Sequence, residues 1–404
     1  MFFLFTLSGT SFADSGGSAY SIFGLGDLRY VTGTRSAGMG YTGLALASPF
    51  YVNSYSPGSW SAIDRTRLEA GMLYEGFSSS DGNKSIYRSE ADFIGGSLAV
   101  PISSDHGLVI IGGFTPFSNI NYNTYTRGSQ QGIDYTIQHV GEGGISRGFL
   151  GASFTPLKFI SLGVSVEYLF GTLQAVRTFN PSNSTASGSV TTTSATINGA
   201  YFRIGGVVQG FGSTIEILQP LSIGFAASSQ AVLSGDFESR YNYAAESETV
   251  AVPTSATIPV AIGVGIGYQA GPRYVFAADF LQQNWYNSSI NGVAPPSLKN
   301  SYRIGVGVER SGSRDPEATG WDRISLRLGF SYLATYYFVN GEPINEWSVT
   351  SGFDIPFSGD SRFGVALEYA QRGTTKSNLI KDNIFRCTFS LNLSEQWFIR
   401  YEED

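Results

Sequence analysis

About fourteen segments of this 404-residue chain alternate an apolar residue with a small or polar one over roughly ten positions each, and that pattern limits what it can fold into. Within 159–171, Ile160, Leu162, Val164, Val166, Tyr168 and Phe170 form an unbroken apolar stripe against Ser161, Gly163, Ser165 and Glu167. Side chains of a strand point to opposite faces in turn, so one face of each segment is apolar and the other polar. Ile262, Val264 and Ile266 likewise oppose Gly263, Gly265 and Gly267, and Leu326, Leu328 and Phe330 oppose Arg327 and Gly329. Arginine thus stands where a soluble core would place leucine. A soluble sandwich also alternates, with its polar face toward water, so one strand alone decides nothing. This many strands in one chain, without a helical linker, predicts an all-β fold: a transmembrane antiparallel β-barrel of about 14 strands.

Composition supports the same reading. Fifty glycines, 14% aromatic and only 14% charged residues do not describe ordinary soluble domains. No stretch of eighteen apolar residues occurs, which excludes transmembrane helices and leaves a closed barrel as the way to satisfy backbone groups in lipid. A net charge of −7 with no polybasic cluster gives no footprint for nucleic acid. Cys387 has no partner for a disulfide and faces lipid by parity.

Residues 1–13, with the apolar run Phe2 to Leu7 and the ending Ser11-Phe12-Ala13, read as a truncated signal peptide, which points to the bacterial outer membrane. Residues 14–65 do not alternate. They are too few for an independent core yet rich in apolar anchors, so they are expected to pack inside or across the barrel mouth as a plug, with the barrel proper spanning 66–404. Strands are predicted near 66–78, 88–102, 107–124, 132–155, 159–177, 192–211, 219–242, 251–268, 273–284, 300–310, 322–338, 345–356, 362–373 and 382–393. Short connections at 103–105, 156–158, 270–272 and 358–360 belong on the periplasmic side, and the polar stretches 180–195 and 286–299 outside. Tyr168 and Phe170, and Tyr336, Tyr337 and Phe338, are expected in an interfacial aromatic girdle.

The run Ser18 to Asp27, the segment Arg35-Ser36-Ala37-Gly38-Met39-Gly40 and the stretch 53–66 resemble the FadL/TodX family of outer-membrane channels for hydrophobic compounds, in its Bacteroidetes and Chlorobi branch. Gly38, Gly40, Asn53 and Pro57 match that family's plug, called the hatch; Ser56 stands where a second asparagine is usual. The chain also departs from the usual barrel ending, since Trp397-Phe398 and a charged tail, Arg400 to Asp404, follow the last strand. The resemblance implies a 14-stranded barrel that takes up hydrophobic molecules such as long-chain fatty acids by passive diffusion, without a cofactor. It implies a hatch-lined pocket, for which Phe23, Leu25, Met39, Tyr41, Phe50 and Tyr51 are the candidate contacts, and sideways exit at an interrupted third strand. Gly112, Gly113 and Pro116 are the candidate kink there, because glycine weakens a strand and proline cannot donate to the ladder. The partners so implied are a hydrophobic small molecule and outer-membrane lipid. One alternative is a secretion- or surface-associated structural barrel of the PorV type, which would have a protein partner; another is a general porin.

No enzyme is expected. The two histidines, His106 and His139, belong to different strands, and no companion acid can be placed beside Thr136 or Ser146 to build a nucleophilic site. They are also too far apart for a metal cluster. Gly263, Gly265 and Gly267 mimic part of a dinucleotide fingerprint but lie in a strand with no helix following. The charges Asp279, Arg303, Glu309, Arg323, Arg327, Glu368 and Arg386 are of mixed sign on the polar face, and their expected role is to pair internally and hold the plug.

Overall fold

The computed structural model describes residues 14–30, 33–130, 132–182, 187–210, 218–243, 246–293, 295–313, 317–318 and 320–397. The expected signal peptide, Phe398 and the charged tail lie outside the described residues. Two short strands, β1 (Asp14–Ser15) and β2 (Asp27–Leu28), precede the wall. The wall begins with β3 (Thr66–Ser80), β4 (Ser85–Ser103), β5 (Leu108–Gln130), β6 (Ile133–Leu157), β7 (Ile160–Pro181) and β8 (Ser189–Gln209). It continues through β9 (Leu221–Ser228), β10 (Ala231–Tyr243), β11 (Glu246–Ile258), β12 (Ala261–Ala270), β13 (Tyr274–Gln283) and β14 (Ser301–Arg310). The last four are β15 (Ser325–Val339), β16 (Glu342–Ser358), β17 (Ser361–Gly373) and β18 (Lys381–Glu395).

These sixteen wall segments make fourteen staves. β9 and β10 are two halves of one stave and β11 and β12 of another, where the sequence suggested unbroken strands over 219–242 and 251–268. Pro259 ends the first half of the second stave because it has no N–H to donate. Neighbouring staves are antiparallel, and β18 pairs with β3 from Lys381↔Ser80 to Glu395↔Thr66, which closes the barrel and leaves no edge at the seam.

The alternation maps onto the two faces of this wall. Along β7, Val164, Val166, Tyr168 and Phe170 are exposed while Ser161, Ser165 and Glu167 are buried in the interior. In β18, Phe385, Phe389, Leu391 and Leu393 face out and Arg386, Thr388, Ser390 and Asn392 face in. Such a continuous outer apolar surface is stable only in hydrocarbon. Val166→Arg is therefore expected to destabilise the barrel by about 2–4 kcal/mol, read as a lower urea midpoint for unfolding from lipid vesicles.

The rim is uneven. β5 and β6 run 23 and 25 residues, whereas β13 and β14 have 10 each. About 9–11 residues cross a bilayer, so the tall side projects well beyond it. Above the short staves the connecting segment continues the sheet: the Thr257 N–H donates to the Ser289 carbonyl (2.9 Å) and the Lys299 N–H to the Tyr336 carbonyl (2.8 Å).

Two expectations are corrected. Tyr336 and Tyr337 are not girdle residues: they are 2% and 1% exposed, because the β15–β16 register shifts between Ala334 and Phe338 and brings Tyr336 onto the same inner face as Tyr337. Arg323 is not luminal, since it lies in an exposed 3₁₀ turn (Gly320–Arg323) before β15 begins.

Candidate functional site

The barrel interior is occupied by the N-terminal segment, whose irregular course is set by short local devices. A 3₁₀ turn over Ala19–Ile22 starts at Ser18, whose hydroxyl accepts from the Tyr20 N–H. The helix α1 (Thr34–Gly38) and a second 3₁₀ turn (Pro57–Ala62), which proline starts, follow. Asn53 ties the connection together: its amide donates to the Gly43 carbonyl (3.1 Å), its side-chain oxygen accepts from the Tyr55 N–H (3.0 Å), and its carbonyl accepts from the Trp60 indole (2.7 Å).

The segment docks where the inner wall has no side chains. Backbone around Met39 and Gly40 lies against Gly305, Gly307 and Gly329, and Gly38 approaches Gly352 so closely that a Cβ on Gly38 would sit 3.1 Å from the Gly352 Cα. Gly40 itself has φ +64°, which glycine tolerates without strain. Pro57 rests on Gly163 and Gly205, and Gly58 on Gly206. Apart from Gly206, which has the parity of the outer face, these wall glycines alternate with the lipid-facing stripe, so one strand pattern serves both the membrane and the docked backbone.

Among the described residues the wall parts between β4 and β5. β4 and β5 pair only from Pro101↔Val109 and its neighbours up to Gly96↔Phe114. Beyond that point Ile94 bulges from the β3–β4 ladder next to Gly95 (φ +125°), and the β5–β6 register shifts after Pro116. The N-terminal segment fills the opening. β1 pairs in parallel with Arg88 and Ser89 of β4, while β2 pairs with Ser118 and Asn119 of β5. The Gly17 N–H donates to the Asn121 carbonyl and the Arg29 N–H to the Phe117 carbonyl, both at 2.9 Å. Of the candidate kink residues, Gly112 and Gly113 lie inside the paired stretch, opposite Leu98 and Ser97, and Pro116 lies just past its end.

Charge clusters bind segment to wall. Arg29 donates to Glu90 (2.9 Å), Asp92 (2.7 Å) and Glu75. The three carboxylates come close enough to hold a cation, but the guanidinium already stands among them. Arg386 links Glu75 (2.6 Å), Glu346 (2.8 Å) and Glu368 (2.8 Å), and Arg372 links Glu346 (2.6 Å) to Asp27 (2.7 Å). Arg35 and Arg327 share Glu309, and Arg327 also donates to Asp354. Asp279 accepts from the Gly43 and Leu44 N–H groups at 2.7 and 2.9 Å, and the Arg303 guanidinium stacks over Tyr30 and Tyr41. Outside the membrane, Asp322 receives hydrogen bonds from Arg273 and Arg310, which hold its carboxyl below the usual range.

The six candidate pocket residues fall in separate places. Leu25 is buried, and Phe23 partly so, in a large apolar cluster with Tyr20, Trp285, Tyr336 and Tyr337 in the upper lumen. Met39 is fully buried against Leu46, Val275 and Ala277. Tyr41 donates to Glu368. Phe50 and Tyr51 line a cavity of about 580 Å³ at the end of the barrel where the short turns lie. The spaces beside Tyr30 and Tyr41 measure only about 20 and 40 Å³. Of the motif residues, Gly38, Gly40 and Pro57 lie against the wall, whereas Asn53 bonds within the segment itself. Sequence reasoning missed Trp285 and the Tyr336–Tyr337 pair, whose neighbourhood of aromatics was the available signal. His106 contacts Ser103 (3.0 Å) at a turn, and His139 stands opposite Thr124 and Arg177 on the tall side.

No curated protein sequence matches the chain. Among solved structures, the Ralstonia pickettii toluene transporter TbuX is similar with a TM-score of 0.61 at 14% identity, covering 90% of this chain and 98% of that one. The Pseudomonas putida toluene transporter TodX gives 0.60 at 15%, covering 91% and 99%. A Pseudomonas aeruginosa FadL homologue gives 0.59 at 13%, covering 91% and 98%. At these identities the likeness establishes a shared fold, the FadL-type barrel. The BamG family model matches residues 1–403. The chain belongs to the BamG family.

Proposed function

We propose that this protein is an outer-membrane channel for passive uptake of hydrophobic molecules, with the N-terminal segment acting as a hatch and with exit sideways between β4 and β5. The observation that carries the reading is the parted wall: the ladder stops at Gly96↔Phe114, and beyond it β4 and β5 are joined by backbone hydrogen bonds and Arg29 ion pairs from residues 14–29 and by side-chain bonds of Asn119 and Asn121 to Glu90 rather than by a continuous ladder. An apolar solute leaving through that opening enters lipid directly. Passing onward through water would instead cost about 25 cal/mol for each Å² of apolar surface exposed. The apolar cluster that includes Phe23 and Leu25 packs against Leu28 and Phe117 at the opening, which supports an apolar surface for such a solute to follow. Toluene transporters and a FadL homologue share the fold, which fits small aromatic compounds or fatty acids as cargo.

Leu28 and Ser118 are directly opposed in the opening. In a Cys387→Ser background, the pair Leu28→Cys and Ser118→Cys is expected to lock the segment to β5 on oxidation and to stop uptake of toluene or a fatty acid into proteoliposomes, with recovery on reduction. Uptake by the oxidised form at the reduced rate would refute exit at β4–β5. Equal uptake by wild-type and protein-free vesicles would refute transport altogether.

A second reading, a structural barrel with a protein partner, is favoured by the filled lumen and the small spaces within it. It predicts a stoichiometric partner that stays with the barrel through purification.

A further inference from the structure

At the short-turn end of the barrel the cavity of about 580 Å³ is bounded by Pro49, Phe50 and Val275 on its apolar side, and its charged boundary comprises Arg35, Arg273, Glu309 and Arg362. Arg362 is the second residue of β17, inward-facing between Pro356 of β16 and Asn392 of β18, and only 6% exposed. Its guanidinium carbon lies 4.3 Å from the centre of the Phe50 ring. Its Nε and Nη1 are buried and have no hydrogen-bond acceptor.

The neighbouring charges do not account for it. Glu309 is taken by Arg35 and Arg327, Asp354 by Arg327 and the Tyr51 hydroxyl, and Asp322 by Arg273 and Arg310. Arg67, which also stacks on Phe50, stands near Asp64 and Asp360 and donates to the Asp360 carbonyl. Glu69, the other buried carboxylate nearby, accepts from the Val52 N–H and the Asn392 amide, and among the described residues Arg362 makes no ion pair. A buried guanidinium without acceptors is costly, and a planar carboxylate offers it two parallel hydrogen bonds.

We propose that this vestibule is a binding site for the carboxylate of an anionic amphiphile, with Arg362 taking the carboxylate and the apolar lining taking the chain. The inference rests on the uptake reading for the source of that ligand. Phe50 fixes the guanidinium plane through its ring face, so the fork is oriented before the ligand arrives.

The test is equilibrium dialysis of the full-length protein in amphipol with radiolabelled octanoate and 1-octanol. Wild type is expected to hold octanoate about tenfold more tightly than octanol, and Arg362→Gln to lose that preference while its octanol binding is unchanged. Arg362→Lys keeps the charge without the planar fork and is expected to retain part of it. Equal binding of the two probes by wild type, or an undiminished octanoate preference in the folded Arg362→Gln variant, would overturn the site. The wild-type comparison decides the matter even if the variant does not fold. Flux of toluene, which has no carboxylate, separates the two readings: flux without octanoate preference sinks the site alone, and preference without flux sinks the uptake function alone.

Discussion

A barrel carrying Gly305→Val and Gly329→Val conducts ions in planar bilayers where the wild type is silent; that is the result expected from the way the N-terminal segment is seated. A Cβ at Gly329 would run into the Gly40 amide and the Met39 carbonyl carbon, and one at Gly305 into the Gly40 carbonyl. Neither side can yield easily. The wall strands are held by ladders on both sides, and Gly40 is tied to the Thr350 hydroxyl at 2.9 Å. Overpacking of this kind costs about 1–3 kcal/mol per site, and because both sites press on Gly40 their effects should couple rather than add. The cheaper response is for the segment to leave its seat, opening a polar lumen to water. Phe330→Val, on the outer face of the same strand, is the control and should remain silent. A double variant that is silent and unfolds at the wild-type temperature would show that the segment is not held by these contacts.

Arg386→Met is expected to cost about 3–5 kcal/mol, because removing one member of a buried ion network leaves the others uncompensated. Glu75 would still have Arg29 and Glu346 would still have Arg372, so the carboxylate left exposed to the loss is Glu368, whose remaining side-chain donor includes Tyr41. The measurement is the urea midpoint of the vesicle-embedded barrel. Adding Glu368→Gln to Arg386→Met should recover part of the loss, since it deletes the orphaned charge. An unchanged midpoint in the single variant would mean that hydration replaces the network at no cost.

The staves were legible in the sequence because a period of two fixes which face every residue takes. That is why Val166 and Phe389 could be assigned outward, and Glu167 and Arg386 inward, without a structure. The same reasoning failed where the period is broken. The bulge after Ala334 brings Tyr336 onto the same inner face as Tyr337, and Arg323 was given a face although it lies before its strand begins. The N-terminal segment has no sustained period, so its apolar residues could be recognised as anchors but not sorted among the apolar cluster, the glycine seats and the vestibule. Gly263, Gly265 and Gly267 were visible as small luminal positions, yet only the docked Leu44 and Leu46 explain why they are small. The parting of β4 from β5 was hinted at by Pro116, but its lower limit depends on Gly95 and Ile94 in the neighbouring strand, a relation between two segments that neither contains alone.

The closed seam between β18 and β3 also constrains the order of assembly. Ser18 donates to Asp382 at 2.6 Å across 364 positions of sequence, and Thr34 reaches Ser390 at 2.7 Å, so the first-made part of the chain binds the last-made strand from within. Such distant contacts form slowly, because a long loop must close before they yield any free energy. Because these contacts join residues 18–34 to β18, they can form only after β18 has arrived, so the seating of the segment is completed no earlier than the last strand is placed.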